Sequence, residues 1–140
     1  MKRDIVVNLA LKLIGIPYLW AGGTPAGWDC SGFVIWIYQV PGVLPSGDWT
    51  AEGLSQRWAK TDLPQRGDLA FYGQADPEAV THVMMHLDDK QSMVIGESGG
   101  DHTCTTIDIA KLKGACVKVK PLKYRTDYLF SVGVATLDGL

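Results

Sequence analysis

A cysteine at the start of a predicted helix is the residue in this sequence best suited to nucleophilic chemistry. Cys30 follows Asp29, a favourable helix N-cap, and precedes Ser31 and Gly32, which leave the first helical turn uncrowded. The first turn of a helix offers unpaired N–H groups and a partial positive charge, and both stabilise a thiolate. Free cysteines are also commonly buried and inert, so Cys30 is either a nucleophile or a packing residue.

A nucleophilic thiol needs a base, and histidine most readily serves as one near neutral pH. His82 opens the apolar run at 83–85 directly after a polar stretch, where its side chain can face the edge of a groove. Histidines at strand starts are usually structural, so His82 is a candidate base and no more. We interpret His86, on the same strand face, as structural, and Cys104 and Cys116, in strand-like contexts, as packing residues.

A metal site would be the competing use of these side chains. It would require three or four of them to converge. The candidates are Cys30, Cys104, Cys116, His82, His86 and His102. The sequence contains no C-x-x-C pair and no H-x-x-x-H pair on a predicted helix, which are the spacings typical of such sites. We therefore predict neither a metal nor another cofactor.

The composition is that of one ordinary domain, which we place over residues 1–140. The 140 residues are 46% hydrophobic and 20% charged, with a formal net charge of −2. A chain of this size buries about two-thirds of its surface on folding, enough for a core without disulfides. Three cysteines are too few, and odd in number, for a disulfide framework. Without a run of Lys and Arg, neither nucleic acid nor an anionic membrane is an expected partner.

The amino terminus superficially resembles a signal peptide. Basic residues at 2 and 3 precede an apolar stretch, but Asp4, Asn8 and Lys12 interrupt it and no small-residue cleavage site follows. No other segment approaches the roughly 18 uninterrupted apolar residues of a membrane span. We therefore expect synthesis in the cytoplasm without a signal peptide, so that action outside it would need separate delivery.

Helical patterns dominate the first half of the chain. Apolar residues at helical spacing predict a first amphipathic helix that stops at 15–17. Its predicted buried stripe is Ile5, Val6, Leu9, Ala10, Leu13 and Ile14. A Gly- and Pro-rich loop follows at 21–27, then a helix capped by Asp29 that is apolar nearly all round and ends at Pro41. A third, short helix is predicted from Thr50 to about residue 59.

Short β-rich segments, separated by turn residues, occupy the second half. The predicted strands cover residues 68–72, 81–87, 92–95, 116–120 and 128–135. No long crossover helices separate them, so the strands are expected to be antiparallel. Helices followed by strands indicate an α+β domain whose helices pack against one sheet.

Three segments carry distinctive motifs: residues 17–34, with Asp-Cys-Ser-Gly at 29–32, residues 66–72 and residues 81–85. Taken together, they resemble the NlpC family of papain-like bacterial cell-wall cysteine peptidases, and Asp-Cys-Ser-Gly is similar to the family's nucleophile motif. Residues 66–72 resemble its Gly-Asp-Leu strand, and residues 81–85 resemble the His-Val strand that carries its base. The order and the distances agree. The resemblance implies a papain-like fold, with N-terminal helices on a central antiparallel sheet.

The resemblance also implies roles for individual residues. Cys30 would be the nucleophile, His82 the general base, and Tyr18 a hydrogen-bonding group near the oxyanion. Asp29 and Ser31 would join Tyr18 as substrate-binding or oxyanion residues. The alternative for Tyr18 is loop packing. The substrate would be an amide of a peptidoglycan stem peptide, specifically the bond from γ-D-glutamyl to the diamino acid. A thiol activated in this way should react with alkylating agents well below pH ~8.5, the free-thiol pKa.

The sequence departs from the family at the residue that orients the base. In the family this is a His, Asn or Gln on the next strand, and here the position falls at about Gly96. Glu97, Ser98 and His102 are the nearby substitutes. We predict His102, because a histidine can donate to or accept from the second nitrogen of His82. Glu97 would add a charge, and Ser98 reaches least far.

Residues 99–127 resemble the tail of phage-encoded members of this family. This resemblance implies a phage lysin or tail-associated hydrolase, which reaches the wall through membrane holes or by injection, and other phage tail proteins as further partners. The main alternative is a phage tail or wall-binding component with the same fold and little activity, suggested by Gly96. A papain-like acyltransferase is a third interpretation.

Overall fold

The computed structural model describes residues 2–24, 27–47 and 49–139. Twelve helices and strands follow one another along these residues. They are α1 (Lys2–Lys12), β1 (Gly23–Thr24), β2 (Gly27–Trp28), α2 (Cys30–Gln39), α3 (Ala51–Ser55), β3 (Lys60–Thr61), β4 (Leu69–Ala75), β5 (Glu78–His86), β6 (Met93–Ser98), α4 (Ile107–Lys113), β7 (Cys116–Pro121) and β8 (Tyr128–Val132). A short 3₁₀ helix, Ala135–Asp138, follows β8.

Within the described residues, the main sheet has six antiparallel strands in the order β3-β8-β4-β5-β6-β7. Helix α2 packs against β5 and β6, and α1 packs against α2. The side chains of Phe33, Val34 and Ile37 on α2 are completely buried, as its nearly continuous apolar sequence predicts. The α+β prediction, with helices on one antiparallel sheet, is therefore confirmed.

Helix α1 buries a different face from the one that its apolar stripe predicts. Val6 and Ala10 are buried as expected, but Ile5 is 47% exposed and Ile14, beyond the end of the helix, is 51% exposed. Arg3 is only 5% exposed instead. Its guanidinium is bound inside the protein by two carboxylates, described below, and this turns the N-terminal end of α1 toward the core.

Several boundaries also differ from the predictions. Helix α3 ends at Ser55 rather than near 59, and β8 ends at Val132 rather than 135. Strands β1 and β2 form a small hairpin inside the predicted loop at 21–27, of which Pro25 and Ala26 lie outside the described residues. Helix α4 and strand β3 were not predicted. None of the described helices has the length and apolar character needed to cross a membrane.

The Gly-Asp-Leu motif, at the start of β4, links three distant segments of the chain through hydrogen bonds. Asp68 is buried and its carboxylate accepts hydrogen bonds from Arg3 Nη1 at 2.9 Å, from the backbone N–H of Gln65 at 2.9 Å and from that of Val134 at 2.9 Å. Arg3 also donates from Nε to Asp138 at 2.7 Å. One carboxylate thus ties α1, the turn before β4 and the segment after β8 together.

Candidate active site

The Cys30 sulfur is positioned by the capped start of α2. Asp29 adopts the extended N-cap conformation, and its carboxylate accepts from the N–H of Gly32 at 2.8 Å and from Ser31 Oγ at 3.3 Å. Gly32 cannot carry a side chain here, because a Cβ would collide with the carbonyl oxygen of Gly22. The helix start therefore lies directly against the Gly-rich loop. The prediction that Asp29 caps this helix is confirmed, because its carboxylate accepts the N–H of Gly32 in the first turn.

Burial and the helix terminus have opposite effects on the Cys30 thiol. The residue is partly exposed, yet the surrounding protein is dense enough that burial raises the pKa of the thiol to about 11. Asp29 acts in the same direction, while the backbone N–H groups of Val83 and Ser31 lower the pKa. Desolvation outweighs the helix terminus, and the thiol is neutral at physiological pH.

His82, on β5, is 7% exposed. Its Nε2 lies 2.8 Å from the hydroxyl oxygen of Tyr124. Burial, and secondarily the positive charge of Arg125, lower the pKa of His82 to about 3, and Asp127 opposes them only weakly. The imidazole is therefore neutral at pH 7, which is the form that can accept a proton.

Because both groups rest in their neutral forms, we expect Cys30 to react with iodoacetamide more slowly than a free cysteine between about pH 6 and 8. Only the thiolate is alkylated, so the rate should rise about tenfold per pH unit until the thiol titrates. The rate is measured by mass spectrometry of the Cys30 peptide after timed quenching. A fast, pH-independent rate near pH 6 would instead demonstrate a preformed thiolate–imidazolium pair, the reactivity that the sequence predicts.

Cys30 and His82 line one cavity of about 480 Å³. A second cavity of about 460 Å³ shares Tyr18, Trp20, Cys30 and Thr81 with the first. Cys30 therefore lines both cavities.

Tyr18 lines both cavities beside Cys30 and is 6% exposed. Its ring packs directly over Gly100, where a Cβ would collide with the ring atoms. Burial, followed by the proximity of Cys30, raises the pKa of Tyr18 above its usual value, so the phenol keeps its proton and can donate a hydrogen bond. Asp29 and Ser31 line the second cavity as well. Roles of these three residues toward a substrate stay predictions.

The sequence matches the NlpC/P60 family over residues 15–120, more than half of the chain. The chain belongs to the NlpC/P60 family. Its similarity to the crystal structure of the NlpC/p60 domain of the peptidoglycan hydrolase SagA has a TM-score of 0.69 and 28% sequence identity, covering 94% of this chain and 97% of that one.

Two curated relatives are similar to part of this chain. A probable endopeptidase of Mycobacterium bovis is 40% identical over 74 residues, covering 52% of this chain and 19% of the relative. A γ-D-glutamyl-L-lysine dipeptidyl-peptidase of Bacillus cereus is 32% identical over 87 residues, covering 61% of this chain and 26% of the relative. The chain thus corresponds to about a fifth to a quarter of these proteins.

At the place where the NlpC/P60 resemblance implies an orienting residue, the structure pairs His82 with Tyr124 and not with His102. The His102 ring packs edge-to-face against Trp20, with 6.2 Å between ring centroids, and lines the first cavity. The prediction of a His102–His82 hydrogen bond is wrong, because the Tyr124 hydroxyl bonds Nε2 of His82 instead. Tyr124 is 42 residues from His82 along the chain, and that spacing carries no signal of contact.

Glu97 and Ser98, the other two candidates, also line the first cavity. Glu97 is completely buried, and burial raises its pKa to about 9, with Asp29 as the second cause. Its carboxyl is therefore protonated at neutral pH and brings no charge to His82. Ser98 lies next to Tyr124, and its hydroxyl lowers the pKa of the Tyr124 phenol. The hydrogen-bond partner of His82 is Tyr124 and not Ser98.

His86 and Cys116 lie on strands, as the sequence indicates, whereas Cys104 lies in the irregular segment before α4 and not on a strand. His86 is completely buried, with Nε2 2.8 Å from Ser131 Oγ. Cys104 is buried, Cys116 is partly exposed, and both are free thiols, as is Cys30. Among the residues that the structure describes, no group of three or more His, Cys, Asp or Glu side chains is arranged to hold a metal ion.

Proposed function

We propose that this chain is a cysteine endopeptidase that hydrolyses an amide bond in peptidoglycan stem peptides. The observation that carries the proposal is the placement of Cys30 from α2 and His82 from β5 on one cavity, with Cys30 lining a second cavity as well. Two cavities that share the nucleophile would suit cleavage within a chain. Membership of the NlpC/P60 family and the names of the relatives support the substrate class.

Catalysis would proceed through an acyl-enzyme. The Cys30 sulfur attacks the amide carbonyl carbon while His82 takes the thiol proton, and Tyr18 donates to the oxygen as it gains charge. His82 then delivers the proton to the departing amine nitrogen, leaving a thioester on Cys30. A water molecule, deprotonated by His82, attacks the thioester and releases the carboxylate, and the sulfur recovers its proton.

The bond that we propose joins γ-D-glutamyl to the diamino acid. The name of the relative from Bacillus cereus specifies a γ-D-glutamyl-L-lysine bond, which supports this choice. The cleft offers charged partners to a substrate that carries both carboxylates and amines. Arg125 and Asp101 line the first cavity, and Glu52 lines the second.

The proposed setting is a bacteriophage, with the protein as a lysin or as a tail-associated hydrolase. The resemblance of residues 99–127 to phage-encoded members supports it. The protein would then be made in the host cytoplasm and reach the wall or periplasm by phage-mediated delivery. Mass spectrometry of purified virions would detect a tail-associated protein, whereas a lysin would be absent from virions and present in the lysate.

The activity is tested by incubating the purified protein with sacculi and identifying the released fragments by mass spectrometry. Each hydrolysed bond adds one water, and a cut at the proposed position leaves a new amino group on the diamino acid. The same digestion with an added amine separates the alternatives, since an acyltransferase would pass the acyl group mainly to the amine and a hydrolase mainly to water. Sedimentation with sacculi in the absence of fragments would identify a wall-binding component and reject the enzyme.

A further inference from the structure

Tyr124 is held firmly in place by the loop that follows β7. Its backbone N–H donates to the carbonyl of Pro121 at 3.0 Å, and the Leu122 N–H donates to Ser92 at 2.8 Å. Its ring packs against that of Tyr72, with 5.7 Å between centroids. None of these contacts involves His82. They hold the Tyr124 side chain in place independently of it, so the hydroxyl is a preorganised hydrogen-bond partner for the imidazole.

The space that a polar side chain on β6 would need is already filled. A Cβ built on Gly96 would lie 2.6 Å from the Met84 sulfur, and Met84 is completely buried. Met84 shares a small apolar cluster with Tyr72, against which Tyr124 packs. In this structure the Met84 sulfur occupies the place that a Cβ on β6 would take, while the loop at 121–127 brings in a hydroxyl from outside the sheet.

We propose that Tyr124 is the positioning residue of this site, accepting a hydrogen bond from Nε2–H of His82 and so directing the Nδ1 lone pair toward the Cys30 thiol. This inference rests on the proposed function, because it concerns the general base of that reaction. The residue touches neither the thiol nor the reacting carbonyl in this scheme. It acts only through His82.

The Tyr124 hydroxyl lies among polar side chains. A tyrosine hydroxyl has one proton to donate and can also accept. The side chains of Ser98 and Arg125 lie next to the Tyr124 hydroxyl. The guanidinium offers only donors, whereas the serine hydroxyl can donate or accept. Arg125 is itself held by Asp127 through bonds of 2.9 and 2.7 Å.

The direction matters because a neutral imidazole carries one proton. If Tyr124 accepts from Nε2–H, then Nδ1 is unprotonated and can receive the thiol proton. If Tyr124 instead donated to Nε2, the proton would lie on Nδ1 and the base would be blocked. The imidazolium formed during the reaction would also keep its Nε2–H bonded, which avoids leaving a buried charged donor unpaired.

The test compares Tyr124→Phe with Tyr128→Phe. Tyr128 packs on the same Tyr72 ring at 5.7 Å, but its hydroxyl contacts Ser131 and not His82, so its removal is a matched control. On a soluble stem peptide, Tyr124→Phe is expected to lower kcat about tenfold or more with KM little changed. Tyr128→Phe should retain the wild-type values. Equal kcat for Tyr124→Phe and wild type would overturn the proposal.

Nitrogen-15 NMR of the histidine rings gives a second readout that does not depend on activity. In the wild type, the His82 spectrum should show Nε2 protonated and Nδ1 unprotonated, and Tyr124→Phe should shift the Nε2 resonance or mix the tautomers. A proton on Nδ1 in the wild type, or unchanged His82 resonances in Tyr124→Phe, would overturn the proposal even if kcat falls. If the wild type proves inactive, the proposed function fails, while these resonances still decide the hydrogen bond.

Discussion

Replacing Cys30 by Ala is expected to lower the release of peptidoglycan fragments by about 10³-fold or more, with the melting temperature almost unchanged. The sulfur forms the covalent intermediate in the proposed mechanism, and among the described residues that line both cavities no other group is a comparable nucleophile. The side chain removed is small and partly exposed, so folding should tolerate its loss. Fragment release is quantified by chromatography of digested sacculi.

Cys116→Ala is the matched control, because Cys116 is also a free and partly exposed thiol but lies at the start of β7. It should retain full activity. Since the thiol and its base act as a unit, Cys30→Ala combined with His82→Ala should be scarcely worse than either change alone. Activity that survives Cys30→Ala, or is lost in Cys116→Ala, would contradict the assignment of the nucleophile.

Local chemistry made the start of α2 predictable. Asp29, Cys30 and Gly32 are close in the chain, and the N-cap preference and first-turn electrostatics operate over the same few residues. The pattern could not reveal the pKa of the thiol. That value depends on the density of protein around the sulfur, which is contributed by β5 and the loops as well as by the helix.

The partner of His82 could not be predicted, because it comes from a different part of the chain. Tyr124 is 42 residues away and lies on a loop rather than on the strand next to β5. The sequence showed only that the expected position on β6 is Gly96. Which substitute reaches Nε2 depends on the packing of Met84 and on the path of the loop, and neither has a local signature.

The buried face of α1 could not be predicted either, because a charged residue, Arg3, lies on it. Hydrophobic spacing assigns an arginine to the exposed face, because an unpaired guanidinium is very costly to bury. Arg3 is buried because Asp68 and Asp138, far along the chain, meet it. Such a pairing becomes visible only when the tertiary structure is known.

The pairing leads to a large expected effect on stability. We expect Asp68→Ala to lower the free energy of unfolding by about 3–5 kcal/mol, because it leaves one side of a buried guanidinium uncompensated. It also removes the acceptor for the N–H groups of Gln65 and Val134. For a domain of this size the melting temperature should fall by roughly 10 °C or more. Denaturant unfolding followed by circular dichroism measures the change.

The matched control is Asp138→Ala, which removes the other carboxylate bound to Arg3. The Asp138 side chain is 58% exposed, so water can replace it and the cost should stay near or below about 1 kcal/mol. Adding Arg3→Met to Asp68→Ala should recover part of the lost stability, since the buried charge is then gone. The backbone N–H groups would remain unpaired, so recovery should be incomplete. Equal costs for Asp68→Ala and Asp138→Ala would show that burial does not distinguish the two ion pairs.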